Sequence, residues 1–180
     1  MANNCMNYIT INGNIEEINE LSKLLKVEGE ENESSIYTNL CDHFGKQGND
    51  ARWFDIHLVD KDDNCIIIEG DSAWTPCLEI FTKISEKYQS LEIRYEYEEG
   101  GCDFAGYADI NEGYCNDNCY GYWEGKTKID YNFALESAME DVYYDCFESE
   151  EELKSSSMYN AFQEDDQNEL LEEFKKKQQN

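Results

Sequence analysis

The chain has 180 residues, 41 of them Asp or Glu against 14 Lys or Arg, for a formal charge of −27. A domain of this size exposes roughly 9,000 Å², or one net negative charge per about 330 Å², a density about a third that of duplex DNA viewed as a rod; direct binding of nucleic acid is therefore excluded and a basic partner is favoured. Aromatics at 13% and hydrophobics at 40% exclude an acidic disordered chain, and no apolar run approaches the 18 residues of a membrane span.

In chain order, Cys5 to Ile11 alternates as a strand and closes at the turn Asn12-Gly13. Asn14 and Glu17 have capping-box spacing, and Ile15, Ile18, Leu21, Leu24 and Leu25 recur at helical intervals through Lys26. Residues 28–35 read as a polar loop and Ile36 to Phe44 as a short helix. Trp53 to Val59 alternates, with Phe54, Ile56 and Leu58 on one face and Trp53, Asp55 and His57 on the other. The turn Asp60 to Asn64 joins it to a second strand, Cys65 to Glu69, as a hairpin. Thr75-Pro76 predicts a helix start with Pro at the first helical position, and Leu78, Phe81, Ile84 and Tyr88 carry that helix's apolar face. Leu91 to Glu98 alternates again, its odd-numbered residues inward. Two further strands are expected, Asp103 to Ile110 and Tyr120 to Glu124. After Lys128 the spacing turns helical: Ala134, Leu135, Ala138, Met139, Val142 and Cys146 make one stripe. A weaker stripe follows in Tyr159, Phe162, Leu170, Leu171 and Phe174, with the joint at Ser155 to Ser157.

The order βαββαβ predicts an α+β, ferredoxin-like fold: an antiparallel sheet with two helices on one face. Extra strands and a C-terminal helical extension complete it. Residues 1–130 are expected to form the ferredoxin-like domain and 131–180 acidic helices packed on or extending from it.

Two stretches carry a resemblance. One is Met1-Ala2-Asn3-Asn4-Cys5-Met6-Asn7 with the strand and Gly13 that follow; the other is Ser72-Ala73-Trp74-Thr75-Pro76, the strand ending in Glu98, and Phe104-Ala105-Gly106. Together, over about the first 125 residues, they resemble the YubB ferredoxin-like domain family of phages and conjugative plasmids. Asn4 departs from that pattern, which usually has Trp there, and the acidic tail lies outside it. The resemblance implies a ferredoxin-like fold and a mobile-element origin, and it carries over no catalytic residue.

Charge placement is the strongest functional signal. From Glu92 to Glu124 nine acids meet one base, and from Glu136 to Glu173 fourteen meet one. Carboxylates two residues apart on a strand lie about 6.8 Å apart, about two phosphate steps along one DNA strand. The expected contacts are Glu92, Glu96, Glu98, Glu99, Asp103 and Asp109 in one stretch, and Glu140, Asp141, Asp145 and Glu148 in another. The partner so implied is a host defence protein with a basic nucleic-acid-binding groove, inhibited by mimicry in the manner of an anti-CRISPR or antirestriction protein. Exposed aromatics are compatible with a homodimer.

The eight cysteines, without a basic-then-apolar leader in Met1 to Asn14, read as reduced thiols in a cytoplasm. Cys102, Cys115 and Cys119 include a Cys-x3-Cys spacing within the zinc-ligand range. They support an alternative reading: a zinc-stabilised, non-catalytic assembly module of the mobile element. Asp60 to Asn64 with Asp71 mimics a calcium loop, but Cys65 stands where that loop needs Gly, so a solvated turn is expected. No nucleophile motif, phosphate loop, dinucleotide fingerprint or metalloprotease motif occurs. Neither catalysis nor a cofactor is expected.

Overall fold

Alternation along the N-terminal strand sets the first layer. Cys5, Asn7, Ile9 and Ile11 of β1 (Asn4–Asn12) are buried, while Met6 and Tyr8 point to the other side. The computed structural model describes residues 3–25, 34–45, 54–144 and 146–178. Within them β1 is followed by α1 (Ile15–Leu25), α2 (Ser34–Phe44), β2 (Phe54–Lys61), β3 (Cys65–Ala73), α3 (Leu78–Lys87) and β4 (Glu92–Glu99). The chain continues through a single 3-10 turn to β5 (Phe104–Asn111), β6 (Tyr114–Gly121), α4 (Tyr122–Ile129), α5 (Tyr131–Tyr143), α6 (Glu150–Ser155), α7 (Ser157–Asn160) and α8 (Glu164–Lys177). The strands form one antiparallel sheet in the order β2-β3-β1-β4-β5-β6. Its first four strands have the ferredoxin-like arrangement, and β5 and β6 extend it beyond β4.

One face of this sheet is covered by α1, α2 and α3. Ile9, Ile11, Ile66, Ile68, Ile93 and Tyr95 from the strands meet Ile18, Leu21, Leu40, Ile80, Phe81 and Ile84 from the helices. Asn14 caps α1, its side-chain oxygen accepting the Glu17 N–H at 2.9 Å. Glu17 does not reach back to complete the capping box. Its carboxylate instead accepts the Ser90 N–H and hydroxyl at 2.9 and 2.6 Å, and the Ser90 hydroxyl accepts the Asn14 N–H at 3.1 Å. The start of α1 is thereby tied to the turn before β4.

A second core lies in the helices that follow the sheet. Ala134, Ala138 and Val142 of α5 pack against Leu153, Met158, Phe162, Leu170, Leu171 and Phe174. The helix α4 links this core to the sheet by lying on the face opposite α1–α3. A Cβ at Gly125 would stand 2.3 Å from the carbonyl oxygen of Ala105, so only glycine lets α4 approach β5 this closely. Because α4 lies over β5 and reaches β4 and β6 on either side, the part of that face over β2, β3 and β1, up to the near side of β4, stays open.

Several boundaries differ from the sequence expectation: β2 runs on to Lys61, and α5 ends at Tyr143, so Cys146 is exposed beyond its stripe. The sixth strand is Tyr114–Gly121, and residues 122–124, expected to extend a strand, begin α4. The cause is the tight turn Glu112-Gly113, where both residues have positive φ, 47° and 78°. It is a hairpin of the kind that returns the chain at once, so the last strand starts six residues early. The helix α3 begins at Leu78 and not at Pro76. Thr75 is spent on a turn, its carbonyl accepting the Ser72 hydroxyl at 2.7 Å, and the Cys77 N–H donates to the Tyr95 hydroxyl at 3.0 Å. Strand β3 runs on to Ala73, since its ladder with β1 continues to the Asn4–Ala73 pair. Trp53, Lys26 and most of the expected loop 28–35 lie outside the described residues. Among the described residues no helix is long and apolar enough to cross a membrane.

Candidate partner-binding face

Antiparallel register places side chains in rows across the open face. One row reads Asp55 (β2), Asp71 (β3), Met6 (β1), Glu98 (β4). The next reads His57, Glu69, Tyr8, Glu96, and continues to Tyr107 on β5. Adjacent strands are about 4.8 Å apart and successive rows about 6.8 Å. An apolar pair on the central strand is thus flanked on both sides by carboxylates. Met6 is 57% exposed and Tyr8 39%. Asp55 and Asp71 are directly opposed like charges, an arrangement that destabilises a strand pair. Among the described residues neither has an ion-pair partner; Asp71 receives one long hydrogen bond, from the Asn4 amide at 3.5 Å.

The helices raise one bank of this face. Ile129, Asp130 and Phe133, at the α4–α5 junction, close a groove of about 600 Å³ whose floor is the two rows. Asp130 is there because it caps α5, accepting the Phe133 N–H at 3.0 Å. Six carboxylates line the groove (Asp55, Glu69, Asp71, Glu96, Glu98, Asp130) against a single ammonium, that of Lys126. Lys126 is only 9% exposed. It lies 3.6 Å from Glu98 and 5.1 to 5.4 Å from the ring centres of Tyr122, Trp123 and Phe133. Its charge also favours ionisation of Asp141, whose carboxyl is nonetheless held above the usual range, chiefly by burial. Farther along β4, the Arg94 guanidinium stacks on Tyr107 at 3.6 Å and bonds Glu96 and Asp109 at 3.1 and 3.0 Å. Glu69 lies 3.8 Å from His57 Nε2, and among the described residues Asp55, Asp71 and Asp130 are the groove carboxylates without an ion-pair partner.

The expected contact residues divide accordingly. Glu92, Glu96, Glu98 and Asp109 lie on the open side of the sheet, Glu92 and Asp109 beyond the groove. Asp141 approaches them through Lys126, which joins the two expected stretches. Glu99 does not belong: strand alternation turns it to the helix-covered side, where it is 3% exposed and accepts the Gly101 N–H at 3.0 Å. Asp103 is exposed in a left-handed turn after the 3-10 residues, off the face. Glu140 is exposed on α5, Glu148 is exposed before α6, and Asp145 lies outside the described residues. Asp55, Glu69, Asp71 and Asp130 are the residues that sequence reasoning missed. For the first three the signal was the outward set of the hairpin, read through the ferredoxin-like strand order that puts β3 beside β1; Asp130 is placed by its cap on α5.

Among the described residues the cysteines do not gather into a metal site. Cys115 and Cys119 sit four residues apart on β6, a separation of about 13 Å along an extended strand, and among the described residues no three ligand-type side chains converge. A spacing that suits zinc on a loop fails on a strand. Cys5 is wholly buried, which pushes its thiol up to about 12. In the calcium-like turn, one Asp62 oxygen accepts the Asn64 and Cys65 N–H groups, both at 2.7 Å, and Asp71 is far away on β3.

Residues 53–169 match the family described as the ferredoxin-like domain in Api92-like protein. The chain belongs to this Api92-like family. The match begins at the start of β2 and reaches into α8, so the helices that form the groove's bank are part of it. A crystal structure of Api92 from Yersinia pseudotuberculosis is similar over 53% of this chain at 22% identity, with a TM-score of 0.33. The similarity covers 32% of that protein, about a third of its length. No curated protein matches the chain.

Proposed function

We propose that this Api92-like protein is a non-catalytic inhibitor that occupies a basic, nucleic-acid-binding surface of another protein. In the setting implied by the YubB resemblance, a phage or conjugative plasmid, that partner is a host defence protein of the restriction or RNA-guided kind. The supporting observation is the groove of six carboxylates around one buried ammonium, with apolar side chains left unburied among them. Surplus like charge destabilises a fold, and the opposed Asp55–Asp71 pair adds to that cost. Repulsion of this kind is relieved when a cationic surface covers it. Blocking then is steric and electrostatic, and nothing is turned over.

The experiment is competition. The chain should displace DNA or RNA from a basic nuclease at low salt, and the effect should fall steeply as ionic strength rises, because exposed charges are screened within about 10 Å at 0.1 M. The pair of reversals Glu96→Lys and Glu98→Lys should abolish displacement while leaving the circular dichroism spectrum unchanged. Displacement that ignores both salt and these reversals would exclude the reading.

A further inference from the structure

Resting on that reading, we infer that the groove seats a basic amphipathic helix of the partner, its apolar stripe on Met6 and Tyr8 and its Lys or Arg side chains on the flanking carboxylates. The dimensions agree. Glu69 and Asp71 on β3 face Glu96 and Glu98 on β4 across the intervening β1, a width of about 10 Å at 4.8 Å per strand. A helix with its side chains is about 10–12 Å across. Met6 and Tyr8, about 6.8 Å apart along β1, match the ~6 Å rise between positions i and i+4 of a helix lying along the strand. Phe133, 58% exposed on the bank, meets the same apolar stripe from the side.

Other cationic occupants fit less of this surface. An extended peptide pairs with a sheet edge, whereas an amphipathic helix lays its apolar face into a groove, and this groove lies on a sheet face. A polyamine satisfies the carboxylates but leaves Met6, Tyr8 and Phe133 in water. Charge alone explains neither why the apolar residues stand exposed nor why they run down the middle.

The test titrates the full, isotopically labelled chain with an 18-residue peptide made only of Leu, Lys and Arg, its leucines at i, i+3 and i+4 spacing. A permuted peptide of identical composition scatters the leucines around the helix. Saturable amide shifts are expected at Met6, Tyr8, Glu69 and Glu96, with the permuted peptide at least tenfold weaker. Met6→Glu adds a negative charge yet should weaken the amphipathic peptide about tenfold, as should Asp71→Asn; Glu140→Gln should change nothing. Equal binding of the two peptides, or tighter binding by Met6→Glu, overturns the helix-in-groove inference and leaves a charge-driven inhibitor standing. Binding of neither peptide at low salt overturns both.

Discussion

Replacing Tyr95 with Phe tests the hydrogen-bond network that holds β1, β3 and β4 in the register on which the rows depend. The Tyr95 ring is wholly buried, edge-on to Phe81 at 5.1 Å. Its hydroxyl accepts the Cys77 N–H and donates to Asn7 Oδ1, both at 3.0 Å. The Asn7 amide in turn donates to the Cys5 carbonyl, the Gly70 carbonyl and the Ser72 hydroxyl at 2.8, 2.9 and 3.0 Å. Phe keeps the ring and its packing, so the cost is polar. The Cys77 N–H loses its hydroxyl partner, and Asn7 Oδ1 keeps only the weak Cys5 thiol at 3.8 Å. Two buried hydrogen bonds are lost, each at about 0.5–1.5 kcal/mol net and more where a desolvated group is poorly satisfied afterwards, so the loss should be about 3 kcal/mol, a large part of a typical 5–15. With a urea slope of about 2–3 kcal/mol/M, the midpoint should fall by about 1–1.5 M at unchanged slope. The control is Tyr114→Phe on the exposed β6 edge, expected within about 0.5 kcal/mol of the parent. Equal midpoints for the two variants would show that the hydroxyl network does not hold the sheet.

Burial holds the Asp141 carboxyl above its ordinary 3.8, so the folded chain binds that proton more tightly than the unfolded chain and ionisation costs stability above both values. Asp141→Asn should therefore raise Tm at pH 7, and the gain should vanish as pH falls through the raised value towards 3.8; a gain constant with pH would contradict this. Lys126→Met keeps the stem but removes the ammonium beside Glu98 and Asp141. It should lower stability by about 1–2 kcal/mol at neutral pH, less in acid, as followed by urea denaturation at both pH values. Gly125→Ala sets a methyl group against the Ala105 carbonyl; it should cost about 2 kcal/mol or more and weaken peptide binding by displacing the groove's bank, read by thermal melts and titration.

The ferredoxin-like core was legible because its strands alternate cleanly and its helices keep apolar residues at regular spacing. Leu91 to Glu98 placed Glu92, Glu96 and Glu98 outward from sequence alone. Glu99 was misplaced by one residue of the same rule, since the next position along a strand faces the other way. The β5–β6 hairpin was obscured because Glu112 carries a positive φ that its residue type does not advertise. The groove itself depends on long-range register: Asp71 gains meaning only when β3 runs past Glu69 and Asp55 lies opposite. Lys126 falls between the two acidic stretches and belongs to no motif. Nothing local says that α4 folds it against β4, because that placement follows from a glycine contact with β5.

The groove's floor is the outer face of the sheet that carries one hydrophobic core, and its bank is the start of the helices that form the other, joined through the short α4. A bound partner therefore bridges two cooperative units and adds binding free energy to their docking, about 2.7 kcal/mol at a hundredfold excess over Kd. The C-terminal half should then resist proteolysis longer when the site is filled, so that the lifetime of those helices reports occupancy of a surface formed mainly by the sheet.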